Sequence, residues 1–156
     1  YWCFRNEKYV SVIEFLQCYN EISLGYFNGL IKIFDLDSGK PCGTFIGHTK
    51  PVKKISFNQI GDQCVSISDD KGFVWDPFKF EKLFLIEPHE NSIILGAMFI
   101  PWYYKFIVHT SDNLLSIWHS RKGCLVKTLN VLEILGNCIR SFSFKKLVFK
   151  KLKCQC

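Results

Sequence analysis

The chain has 156 residues, 48% of them apolar and 22% charged, with fifteen Phe and four Trp. That balance excludes a disordered polyelectrolyte and leaves enough chain for one domain with a packed core. The formal charge of +6 is uneven, because KKLVFKKLK (145–153) carries five Lys and no acid, so the body lacks the basic field that draws a protein to nucleic acid.

The N-terminus, YWCFRNEKYV, lacks the basic-then-apolar order of a secretory signal. It does not begin with Met, and a partial chain is expected. No apolar run is long enough for a membrane-spanning helix. Eight Cys stand at 3, 18, 42, 64, 124, 138, 154 and 156 with no C-x-x-C pair, and the four His are scattered. Without a secretory signal, reduced thiols are expected, and no zinc site, other metal or cofactor is called for. Cys64 alternates with strand residues and reads as a small core hydrophobe.

From residue 10 onward, short apolar runs of period two alternate with turn residues, the pattern of antiparallel strands. The first group is VSVIEFL (10–16), EISLGY (21–26), LIKIFD (30–35) and CGTFI (42–46). Its middle turn holds Asn28-Gly29, a pair that tolerates positive φ in a tight hairpin. The second group runs through Val52 to Phe57, Cys64 to Ser68, FVWD (73–76) and KLFLI (82–86). The third is SIILGAMFI (92–100), KFIVHT (105–110), LLSIW (114–118) and CLVKTL (124–129). A fourth group opens at NCIRSFSF (137–144), and a basic tail, 145–156, follows.

The groups repeat. Each third strand ends on an aromatic, Phe34, Trp75 and Trp118, at spacings of 41 and 43 residues. A period near forty with two-residue alternation indicates a four-stranded unit. GHTKPVKKISF (47–57) followed by FVWD (73–76) then resembles a WD repeat. The outer units are degenerate, with Phe34-Asp35 in the first and Pro88-His89 with Trp118-His119 in the third.

The resemblance implies an all-β fold, a WD40-type β-propeller fragment with about three four-stranded antiparallel blades plus the first strand of a fourth. The expected boundaries are 8–46, 47–87 and 88–130 for the blades, 131–144 for the start of a fourth, and 145–156 for the tail. The resemblance further implies a structural hydrogen-bond network in place of a Ser-His-Asp triad: His48, Ser66, Asp69 or Asp70, and Trp75 in the middle repeat. His89, Asp112 and Trp118 are the counterparts in the third. A buried Trp N–H and a buried His each need a partner. Asp69 lies six residues before Trp75, as Asp112 does before Trp118, whereas the Ser-x-Ser-x-Asp frame points to Asp70 and a hairpin one residue short. Such a hairpin is compatible with a bulge or a displaced Trp75. Trp75 and Trp118 are expected in the core.

Functionally, the resemblance implies a non-enzymatic scaffold that binds other proteins through blade rims and loops and has no small-molecule substrate. Trp102, Tyr103 and Tyr104 in PWYYKF (101–106) form the candidate partner-binding loop; packing against a neighbouring blade is the competing reading. The tail reads as an amphipathic basic segment for a membrane or nucleic acid, a localisation signal, or a non-native end. The expected setting is cytoplasmic and intracellular, with cytoskeletal, ciliary or centriolar, and nuclear settings compatible.

Overall fold

A computed structural model of the chain describes residues 9–132. The fourth-group strand at 137–144 and the tail lie outside the described residues. Twelve strands fall into three four-stranded antiparallel meanders. The first comprises β1 (Val10–Leu16), β2 (Glu21–Tyr26), β3 (Ile31–Asp35) and β4 (Pro41–Phe45). The second comprises β5 (Lys54–Phe57), β6 (Cys64–Ile67), β7 (Gly72–Asp76) and β8 (Glu81–Ile86). The third comprises β9 (Ile94–Phe99), β10 (Lys105–Thr110), β11 (Leu114–His119) and β12 (Cys124–Asn130).

The core lies between the sheets, and the two-residue period decides which side chains face which neighbour. Ile55, Cys64, Phe73 and Trp75 of the second sheet pack with Ile31, Ile33 and Phe45 of the first. The alternate residues Val65, Ile67 and Val74 face Ile94, Ala97, Phe99, Phe106 and Val108 of the third. The indole of Trp75 is 1% exposed and stacks on Phe45 at 4.9 Å. Burying such a ring removes about 150–250 Å² from water, which makes it the largest single apolar contribution at this seam. Trp118 is only half-buried, against the cluster between the second and third sheets, with its ring parallel to Phe106.

The repeat extends to irregularities. Each sheet has a bulge immediately before the third-strand aromatic: Ile33/Phe34, Val74/Trp75 and Ile117/Trp118. Each also places one left-handed residue in the turn joining its first and second strands: Asn20 (φ 51°), Gly61 (φ 74°) and Trp102 (φ 69°). The turn joining third and fourth strands does the same with Gly39 (φ 64°), Phe80 (φ 56°) and Gly123 (φ 63°). Gly and Asn are the residue types this backbone favours, and Phe and Trp are not.

Candidate functional site

The β6–β7 hairpin resolves the choice between the two adjacent carboxylates. Ser68 N–H bonds Lys71 carbonyl, so the loop is the two residues Asp69 and Asp70. The other middle hairpins have three-residue loops, closed between Tyr26 and Leu30 and between Thr110 and Leu114. Their third loop residues are left-handed, Gly29 (φ 87°) and Asn113 (φ 62°). The second blade has dropped that left-handed residue. The deletion is confined to the loop, because Cys64↔Trp75 and Val65↔Val74 remain in continuous register. Trp75 is therefore not displaced by the short loop, and no bulge interrupts the β6–β7 pairing.

Counting from the closed end, Asp70 occupies the place of Asn28 and Asp112. Its carboxylate accepts a 2.7 Å bond from the Ser68 hydroxyl. Asp69 instead pairs with Lys53 at the surface, while its carbonyl accepts from Ile94 N–H of the third sheet. Asp69 is thus outside the network.

His48 sits between two serines. Its Nε2 is 2.7 Å from Ser66 Oγ and its Nδ1 is 3.2 Å from Ser68 Oγ. Trp75 Nε1–H donates to Ser66 Oγ at 2.8 Å. One assignment satisfies every group. Trp75 donates to Ser66, Ser66 donates to His48 Nε2, His48 Nδ1–H donates to Ser68, and Ser68 donates to Asp70. This chain requires a neutral imidazole. His48 is 6% exposed, and burial is the main reason its pKa falls from 6.5 to about 4, against the opposing pull of Asp70. Burial alone raises the Asp70 carboxyl; the Ser68 hydroxyl, its own backbone N–H, Lys50 and Lys71 outweigh that and hold it below the usual range.

A Ser-His contact at 2.7 Å is also the first half of a hydrolase triad. Here the Ser66 oxygen is fully buried and already receives the Trp75 N–H. Asp70 reaches His48 only through Ser68.

The third blade does not assemble the same chain. Its His89 is exposed, and no hydrogen bond links its ring to Trp118 among the described residues. Asp112 accepts from the Thr110 hydroxyl, which with His89 keeps its carboxyl below the usual range. Trp118 Nε1 is buried without a partner. The register gives the reason. Trp75 pairs with Cys64 and Trp118 with Phe106, so Val108 stands where Ser66 does. A valine there offers the indole no acceptor.

The opposite loop edge carries the aromatic cluster. Trp102 is 84% exposed, Tyr103 50% and Tyr104 47%. The turn is held by Ile100 N–H to Lys105 carbonyl and Tyr103 N–H to Ile100 carbonyl. Ser120 N–H bonds Tyr104 carbonyl, and Arg121 lies 3.8 Å above the Tyr104 ring. Arg121 also meets Asp62 of the second blade, Nη2 to Oδ2 at 3.6 Å. Arg121 was absent from the sequence-derived candidates, because nothing in sequence links residues 104 and 121. They meet through the β10–β11 pairing of Lys105 with His119. Among the described residues, no group of three His, Cys, Asp or Glu side chains is placed to hold a metal ion.

Stacked antiparallel meanders of four strands, with the third-strand Trp75 buried against the preceding sheet, define the class: blades of a β-propeller. No family model matches the chain. It is 27% identical over 124 residues to the nuclear distribution protein nudF 1 of Talaromyces marneffei, covering 77% of this chain and 27% of that protein. It is 29% identical over 89 residues to the COMPASS component SWD3 of Saccharomyces cerevisiae, covering 55% of this chain and 28% of that one. The chain thus spans little more than a quarter of the length of each. Among solved structures it is similar to the RRP9 WD40 repeats, with a TM-score of 0.69 and 16% identity over 77% of this chain and 38% of that one. The chain has the fold of WD40-repeat blades.

Proposed function

We propose that this chain is a non-enzymatic scaffold segment that binds other proteins through the loop edge displaying Trp102, Tyr103 and Tyr104. The observation that carries this reading is the backbone of Trp102. The matching turns of the other blades each have one left-handed residue as well, at other places in the loop and of types suited to positive φ, Asn20 and Gly61, whereas here it is a Trp at φ 69°. A bulky residue there costs about 1–3 kcal/mol. Phe80 bears a similar strain, but its ring packs against Phe45 at 5.7 Å and fills the space over Gly43. Trp102 has no ring contact among the described residues, so nothing within them offsets its strain. Exposed Trp and Tyr on an ordered turn are what protein interfaces use as anchors.

Two further points fit. SWD3 is a component of an assembly, and the residues that mimic a triad are consumed by the blade's own hydrogen bonds. The exposed free thiols of Cys18, Cys42 and Cys124 suit a reducing, intracellular setting.

Trp102→Gly separates the readings. A partner anchor predicts that the melting temperature stays level or rises, while proteins recovered with the wild-type chain are lost. If the variant instead loses about 2 kcal/mol or more, Trp102 is a packing residue. If it keeps its full complement of partners, the anchor assignment fails.

A further inference from the structure

Resting on that reading, we infer that the loop edge of the third blade recognises an acidic, apolar-containing segment of a partner protein. Arg121 receives its carboxylate and Trp102 its apolar side chain. Arg121 is held in place before any partner arrives. Its guanidinium is stacked 3.8 Å over Tyr104, and Nη2 is steadied by Asp62 at 3.6 Å. The side chain is nevertheless 53% exposed. A guanidinium stacked by its face keeps in-plane N–H groups for a bidentate carboxylate. A pre-positioned Arg also avoids much of the ordering entropy that weakens binding by mobile side chains.

The local charge has the matching sign. Lys105 follows the aromatic turn in sequence and Lys122 follows Arg121, while Asp62 pairs with Arg121. Shape and charge thus coincide: an apolar platform at Trp102 and Tyr103, with a cationic border on the Arg121 side. The border supports the platform mechanically as well. Ser120 N–H holds Tyr104 carbonyl at 2.9 Å, and Gln63 Nε2 of the second blade holds Ser120 carbonyl at 3.0 Å. Tyr104 and the segment carrying Arg121 are therefore tied together by a backbone bond, and that segment is tied to the second blade by the Gln63 side chain.

Trp, Tyr and Arg also stack on nucleic-acid bases, but the wider field favours protein. Residues 9–132 contain twelve Lys and Arg and twelve Asp and Glu. A phosphate backbone needs several cations along its path, whereas one or two carboxylates need only this border.

The test uses the full chain and fluorescein-labelled peptides that alternate Glu with Leu and Phe. Counterparts carry Lys in place of Glu, and a labelled oligouridylate serves as the nucleic-acid probe. The acidic peptide is expected to bind about tenfold or more tightly than the basic one. Trp102→Gly should weaken it, and Arg121→Glu should reverse the preference while leaving the melting temperature within a few degrees. Equal affinity for both peptides, no detectable binding of the acidic peptide, tighter binding of the oligouridylate, or an Arg121→Glu effect below about twofold overturns the inference. Its failure is distinguishable from failure of the scaffold reading. If Trp102→Gly still abolishes capture of the native partners, only the acidic chemistry is wrong. If capture survives that variant, the loop is not the interface.

Discussion

Acidification is expected to destabilise this protein through His48 before any carboxylate contributes. In the folded chain the imidazole is neutral, with its pKa at about 4 rather than 6.5. The unfolded state therefore binds a proton below about pH 6.5 that the folded state refuses until about pH 4, so stability falls across that window and this contribution levels off below it. The full gap corresponds to about 3.4 kcal/mol, and about 2.6 kcal/mol of it is lost by about pH 4.5. The hydrogen bonds give the same answer independently. A protonated Nε2 turns from acceptor to donor, and the Ser66 oxygen then faces donors from both His48 and Trp75. Glu14 works in the opposite sense, since burial raises its carboxyl above 4.5 and the folded state takes up that proton first. The clean measurement is therefore a difference. Urea unfolding of wild type and His48→Gln, compared between about pH 7.5 and about pH 4.5, should show wild type losing about 2–3 kcal/mol more. Parallel loss in the two proteins would refute a buried neutral His48.

Three further substitutions probe the same physical arguments. Asp70→Ala should cost about 1–2 kcal/mol by leaving the Ser68 hydroxyl without its carboxylate, whereas Asp69→Ala, which removes a surface pair with Lys53, should cost about 0–1; equal effects in denaturant melts would undo the assignment of Asp70. Phe80→Gly should be more stable than Phe80→Ala by about 1 kcal/mol, an inversion of the usual order, because both lose the ring but only Gly relieves φ 56°. A thermal melt with Ala above Gly would contradict it. Val108→Ser should be at least as stable as Val108→Ala, because the hydroxyl is placed in register to accept from Trp118 Nε1. A Ser variant less stable by more than about 1 kcal/mol would show that no such bond forms.

What was legible in sequence was whatever depends on period and on local turn chemistry. Strands such as 10–16, 21–26 and 105–110 end where their alternation ends. The Ser-x-Ser-x-Asp frame pointed to Asp70, because the second strand fixes which face its residues share regardless of what the loop does. The choice stayed open only because counting back from Trp75 crosses the shortened loop. Counting forward from Ser66 does not. The unpaired Trp118 was not legible, since it depends on what faces it across β10, and Trp118-His119 alone says nothing of Val108. The aromatic loop marks the limit most clearly. Three adjacent aromatics are compatible with core and with interface. The decision comes from φ at Trp102 and from Arg121, seventeen residues beyond Tyr104 and brought over its ring by strand pairing. Repeats make that decision possible. Because the matching turns of the other blades close over the same length with Asn20 or Gly61 as their left-handed residue, the fold does not require a bulky side chain in that conformation, and Trp102 can be read as a demand made by something other than the fold.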